Sequence, residues 1–163
     1  MKPFETIETL FSHHLWSNLR LFELCAGLND EQLNASISNT YGTIRDTLQH
    51  ITLSERSYLS RITTGQSYKR AKGAPPLTLA EMLESIQLTG AGFIKAAPQV
   101  QATDSVEVDW EGTPRAVPSA VILTQAIHHA TEHRTQVMAT LQHIGVEPPD
   151  IDGWTYFDTQ DQG

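Results

Sequence analysis

The stretch His128-His129-Ala130-Thr131-Glu132-His133-Arg134 lies in a run of good helix formers framed by Pro118 and Gly145. Read as an α-helix, it sends the imidazoles of His129 and His133, four residues apart, out of one face about one turn (~6 Å) from each other. Such a pair is a two-pronged clamp for one metal ion, and a transition metal usually takes a third protein ligand from elsewhere. The apolar series Ile122, Ala126, Val137 and Ile144 runs through positions 129 and 133, so the pair faces inward. His128 stands about 100° around the helix among Thr124, Gln125 and Glu132, and is expected to face solvent or a partner subunit. Pro118-Ser119 opens the helix, and Gly145 with Pro148-Pro149 ends it. His143, in the last turn, reads as a cap near the negative end of the helix dipole.

Working back from this helix, the apolar period changes to two between Thr103 and Val117. Val106, Val108 and Trp110 alternate with Glu107 and Asp109, and Glu111-Gly112 offers a turn. The pattern predicts a short β-hairpin, which must pack on helices because an isolated hairpin is not stable in water. It would serve as a pocket wall or lid, or as a plain connector. Before it, Thr78-Leu79-Ala80-Glu81 matches a capping box and starts a helix that runs to about Ala97. Leu79, Met82, Leu83, Ile86, Phe93 and Ile94 form its buried side, Gly90 permits close helix approach, and Pro98 stops it. Thr64 to Pro76, with Gly65, Gly73, Pro75 and Pro76, reads as a long surface connection.

An earlier helix spans about Thr43 to Ile62, with Ile44, Leu48, Ile51, Leu59 and Ile62 as its apolar stripe and Gly65 closing it. His50 stands beside that stripe. Asp46, four residues before it, is placed to accept a hydrogen bond from the imidazole nitrogen that a metal would leave free. Glu55 is a second carboxylate near His50 in sequence. The first helix, Phe4 to Leu28, carries Phe4, Ile7, Phe11, Leu15, Leu21, Phe22, Cys25 and Leu28 at helical spacing, and Gly27 with Asn29-Asp30 marks its end. His14 and Asn18 interrupt its apolar face; they either hydrogen-bond within the core or line a polar pocket. At the other end of the chain, Trp154, Tyr156 and Phe157 make the tail from Ile151 too apolar to float free. It is expected to dock on the helices or on a neighbouring chain.

These elements fit one domain over residues 1–163, a length that buries a substantial single core. The fold class they predict is all-α: a four-helix bundle with one long crossover and a short β-hairpin before the last helix. With 19 acidic against 11 basic residues and a net charge of −8, the surface should repel polyanions, so no nucleic-acid partner is expected. Lys69-Arg70-Ala71-Lys72 is read as a solvated loop. Nothing in Met1-Lys2-Pro3-Phe4-Glu5 resembles a secretory leader, and no apolar run approaches the ~18 residues that span a bilayer. The expected setting is cytoplasmic, without membrane association. Cys25 is the only cysteine, which excludes an internal disulfide and a zinc site built on thiolates; its apolar neighbours predict a buried thiol.

In a helical bundle, facing helices can hold a metal in the interior, and His50, His129 and His133 then supply three neutral nitrogens. Three histidines without thiolates leave coordination positions open, the pattern of catalytic rather than structural zinc sites. A hydrogen-bonded core pair is the competing reading of the two helical histidines. Three imidazoles also suit nickel, copper or iron, so affinity order alone does not pick the metal.

Several segments together carry a family resemblance. Thr43-Ile44-Arg45-Asp46-Thr47-Leu48-Gln49-His50, with Glu55 and Tyr58-Leu59 after it, resembles the second helix of DinB-like (DinB/YfiT) proteins. His129-Ala130-Thr131-Glu132-His133-Arg134-Thr135-Gln136 resembles their HxxxHR-x-Q signature, and Trp16-Ser17-Asn18 resembles the WAN of their first helix. The likeness covers nearly the whole chain; it departs at Thr135, where a glycine is common. It implies a four-helix bundle, often a homodimer, with a divalent metal, zinc or nickel foremost, on residues matching His50, His129 and His133. It also implies chemistry of the kind known from relatives that use bacillithiol, mycothiol or glutathione-type thiols. On that reading a low-molecular-weight thiol is activated as thiolate and attacks an electrophilic small-molecule substrate. Metal-assisted hydrolysis by an activated water is the alternative enzyme reading, and a non-catalytic metal-binding or stress-related interaction protein is the other. His14, Asn18, Asp46 and Glu55 are the candidate pocket residues in each case.

Overall fold

The computed structural model describes residues 5–160; Phe4, which the periodicity assigns to the first helix, lies outside them. Helix α1 spans Thr6–Ala26, α2 Asp30–Leu33, α3 Ile44–Thr64 and α4 Leu79–Ala96, followed by a 3-10 turn at Ala97–Gln99. Strands β1 (Ser105–Trp110) and β2 (Thr113–Pro118) lead into α5 (Ser119–His143), and α6 (Gly153–Gln160) ends the described chain. The four expected helices are α1, α3, α4 and α5, and two short helices were not anticipated. α2 has a single turn, too short for any apolar period, and is held by a capping box between Asn29 and Gln32.

The long helices start and stop where local chemistry dictates. Thr43 caps α3 through the Asp46 backbone N–H while the Asp46 side chain takes the Thr43 N–H; Thr78 and Glu81 do the same for α4. Gly65 closes α3 with φ of 74°, a left-handed conformation that a side chain would strain. Pro98 sits in the 3-10 turn that follows α4, where its missing N–H breaks the α ladder.

Among the long helices, α1 packs against α4, α4 against α3, α3 against α5, and α5 against α1. Two apolar clusters fill the space between them. One is built on Leu21, Phe22, Leu48, Ile51, Met82 and Leu141, and the other on Phe11, Phe93, Leu123 and Ala126. Phe11 and Phe93 stack at 5.2 Å between centroids, joining α1 to α4. Cys25 is fully buried in the first cluster, and burial pushes its thiol up to about 12.

Gly90 brings α4 against α1 as expected: a Cβ there would lie 2.9 Å from Leu15 Cβ. Gly90→Ala would gain about 1 kcal/mol of helix propensity but must overpack this contact, at a typical cost of about 1–3 kcal/mol. The expected outcome is a net loss of stability in thermal or urea unfolding. A Gly90→Ala protein as stable as wild type would show that the two helices are free to move apart.

The hairpin pairs antiparallel from Ser105 with Pro118 to Trp110 with Thr113. Glu111 and Gly112, with φ of 51° and 85°, make the two-residue turn, the doubly left-handed form that matches strand twist. Val106 is the only buried residue of the two strands and Trp110 is exposed, so the hairpin works as a connector that pins one side chain to the core. The tail docks on the same chain. Tyr156 is buried with its ring 5.4 Å from those of His13 and Trp16 on α1, and His13 Nε2–H donates to Ile151 O at 2.9 Å. Trp154 stays 81% exposed. No helix among the described residues is long and apolar enough to cross a membrane.

Candidate metal centre

The packing of α3 on α5 brings His50, His129 and His133 together, with one ligand atom of each within 4.8 Å of the others. The Nε2 atoms of His50 and His129 are 2.9 Å apart, close enough for one to donate to the other. His129 and His133 have ring centroids 4.5 Å apart, and each lies 4.7 Å from the ring of His50. His133 is buried, the other two are half-buried, and His128 is exposed as the helical geometry predicts.

The electrostatics favour the neutral ring at His129 and at His50. Burial, and then the neighbouring His133 and His50, lower the pKa of His129 to about 4, and burial followed by His133 lowers that of His50. Neutral imidazoles are the form that binds metals. The Nδ1–H of His133 donates to Gln136 Oε1 at 3.0 Å; this leaves the lone pair on Nε2. The Nδ1 of His129 is buried without a partner among the described residues. The three imidazoles, with His133 held from behind through its Nδ1–H, could together hold a metal ion. Two aromatic rings flank the cluster. Tyr41 stacks on His50 at 4.0 Å between centroids and 16° between planes, and Tyr58 meets His129 edge-on at 5.7 Å.

Asp46 does not serve His50. Its carboxylate accepts from the Thr43 hydroxyl at 2.7 Å and from the Thr43 backbone N–H at 3.3 Å. As the third residue of its helix it belongs to the capping box, and that bond points it back toward the helix start. The other three candidate pocket residues meet in one buried network. Glu55 Oε1 accepts from His14 Nε2 at 2.7 Å and from Asn18 Nδ2 at 2.6 Å, and Oε2 accepts from the Thr89 hydroxyl at 3.0 Å. Arg134 Nη1 donates to Asn18 Oδ1 at 2.6 Å and Nη2 donates to Thr131 Oγ1 at 2.9 Å. Asn18 thereby bridges a carboxylate and a guanidinium. Burial pushes the Glu55 carboxyl up, but His14 and the three hydrogen bonds outweigh it and hold the group below its ordinary value. Burial draws Arg134 down to about 10 against the opposing pull of Glu55, and it remains charged at neutral pH.

The network touches α1, α3, α4 and α5, and Arg134 adjoins His133 in the chain. Through Asn18 on α1 it links Glu55 on α3 to Arg134 on α5. Of its members, Thr89 carried no signal in the sequence, because a hydroxyl on an apolar face is indistinguishable there from one bonded to its own helix. Arg134 and Gln136 stood in the quoted signature without a role. Tyr41 lies outside any periodic segment. Thr135, where glycine is common, is exposed and donates to Thr131 O at 2.9 Å, so the departure disturbs no packing.

Comparison with solved structures finds the same fold in the crystal structure of a DinB-like protein from Bacillus cereus ATCC 10987, with a TM-score of 0.61 and 19% identity over 85% of this chain and 91% of that one. Comparison with the curated proteins gives no match. The model of the DinB family matches residues 1–163, and with the match running from end to end the chain belongs to the DinB family.

Proposed function

We propose that His50, His129 and His133 hold a divalent cation, zinc or nickel, and that the protein uses it to activate a low-molecular-weight thiol for transfer to an electrophilic small molecule. The convergence of three imidazoles with no carboxylate or thiolate in the cluster carries this reading. Bound there, the cation supplies the Lewis acidity that favours the thiolate form of a thiol at neutral pH. The chain supplies the rest. Gln136 keeps the lone pair of His133 on Nε2, Tyr41 and Tyr58 wall the cluster, and the Glu55 network links α3 to α5.

An external thiol is favoured over one from the chain because the single cysteine, Cys25, is fully buried and its pKa is pushed up to about 12. The hydrolytic alternative would gain from a carboxylate free to act as general base. Glu55 is buried and accepts three hydrogen bonds, and Asp46 is committed to its helix cap. The reading takes α1, α3, α4 and α5 as a four-helix bundle with the α3–α4 connection as its long crossover, working as a cytoplasmic homodimer.

Metal-loaded protein assayed with a chromogenic electrophile and a panel of thiols (glutathione, cysteine, bacillithiol, mycothiol) tests the proposal. Turnover is expected to require both metal and one of the thiols and to vanish in His50→Ala. Absence of turnover with every thiol, at full metal occupancy, would overturn the transferase reading, and thiol-independent cleavage of esters or amides would replace it with hydrolysis. Sizing in solution tests the dimer.

A further inference from the structure

Gln136 Oε1 accepts two hydrogen bonds with different owners. One comes from His133 Nδ1–H at 3.0 Å, the other from the backbone N–H of Tyr41 at 3.2 Å. A carboxamide oxygen has two lone pairs and can serve both donors. Tyr41 lies in the connection between α2 and α3, is 53% exposed, and owes its position to contacts outside its own segment. Its ring stacks on His50 and meets His133 edge-on at 5.3 Å. Just before it, Asn39 adopts φ of 65° and the Thr40 hydroxyl donates to Ile37 O at 2.8 Å, a tight turn that aims the next residue at the cluster. One oxygen on α5 therefore selects the tautomer of one histidine and anchors the loop whose aromatic ring covers another.

We infer that Gln136 is a positioning residue that joins metal loading to the ordering of the segment 36–43, with Tyr41 as a wall bounding the space beside His50. The inference rests on the metal reading of the three histidines. An imidazole whose Nε2 lone pair is engaged by a cation donates more strongly from Nδ1–H. The oxygen that receives this bond also holds Tyr41 N–H, so engagement of His133 steadies Gln136 and, through it, the loop. Without an acceptor on residue 136, the Nδ1–H of His133 loses the partner that orients its ring toward the cluster.

The test uses the full chain and zinc or nickel alone. Gln136→Met, which keeps the side-chain length and removes the acceptor, is expected to weaken metal binding about 10–100-fold in a chelator competition, and Gln136→Glu, which keeps an acceptor oxygen, should restore most of it. In wild type, adding metal should slow deuterium exchange of the 36–43 amides, and in Gln136→Met that slowing should be lost. A merely structural role would lower the melting temperature of the metal-free variant and leave the affinity unchanged. Wild-type affinity in Gln136→Met, or 36–43 exchange in wild type that is indifferent to bound metal, overturns the inference while leaving the metal site standing. The exchange arm needs no variant to fold. Failure of wild type to bind either metal would overturn both.

Discussion

Glu55→Ala is expected to cost about 3–5 kcal/mol of folding stability, the range for breaking a buried charge pair by removing one partner. The carboxylate is 1% exposed and receives donors from His14, Asn18 and Thr89. Its loss strands the first two in the core, leaves the Thr89 hydroxyl only a longer 3.3 Å bond to Ile86 O, and removes the negative charge that offsets Arg134 across Asn18. Each unsatisfied buried group adds its own desolvation penalty. Glu55→Gln keeps one acceptor oxygen but turns an amide N–H toward donors, so a smaller loss of about 1–3 kcal/mol is expected. Urea unfolding measures both, as a shift of midpoint at constant slope. A loss below about 1 kcal/mol for Glu55→Ala would mean that the network is peripheral to stability.

The same residue gives the pH profile a definite sign. The folded-state pKa of Glu55 lies below its ordinary value of 4.5, so the unfolded chain takes up the proton first as the solution is acidified. The stability due to ionised Glu55 is fully present above that ordinary value and is lost as pH falls through the folded one. Glu55→Gln, with nothing to titrate, should show a shallower loss of stability over that acid range than wild type.

Metal binding is expected to show as a thermal shift that depends on each histidine of the cluster. A cation that binds only the folded chain stabilises it by about 2.7 kcal/mol at a free concentration one hundred times Kd. For a chain of this length that amounts to a rise in melting temperature of about 5–11 °C. In His129→Ala the rise should shrink to within error at the same metal concentration. The ring it removes faces both other histidines, with Nε2 2.9 Å from that of His50. Exposed His128 is the matched control: His128→Ala should keep the full shift. Equal shifts in wild type, His129→Ala and His128→Ala would mean that the metal acts elsewhere on the surface, and no shift in wild type would remove the metal centre from the reading of this protein.

The long helices were legible because their signals are local. Capping boxes at Thr43 and Thr78, a closing glycine at position 65 and the stop at Pro98 each act within a few residues of chain. The apolar period of helices this long is unambiguous. One turn at Asp30–Leu33 and two turns at Gly153–Gln160 fall below the length at which a period can be read. Asp46 shows the limit from the other side. Two local roles were open to it, as a capping side chain and as a partner for a histidine four residues on, and the bond to the nearer backbone N–H won.

By itself the sequence determined the inward face shared by His129 and His133, the exposure of His128, the close approach at Gly90, and the burial of Cys25, His14 and Asn18. All of these follow from the fixed angle between residues on one helix. Only the tertiary structure decided what those faces meet. The reach of His50 to His129, the four-helix convergence on Glu55, and the sharing of Gln136 between His133 and Tyr41 join residues 79, 41, 37, 34 and 95 positions apart in the chain. Contacts at such separations depend on how whole helices rotate and slide against one another, which is settled by the packing of the entire core and leaves no mark in the local pattern of any one segment.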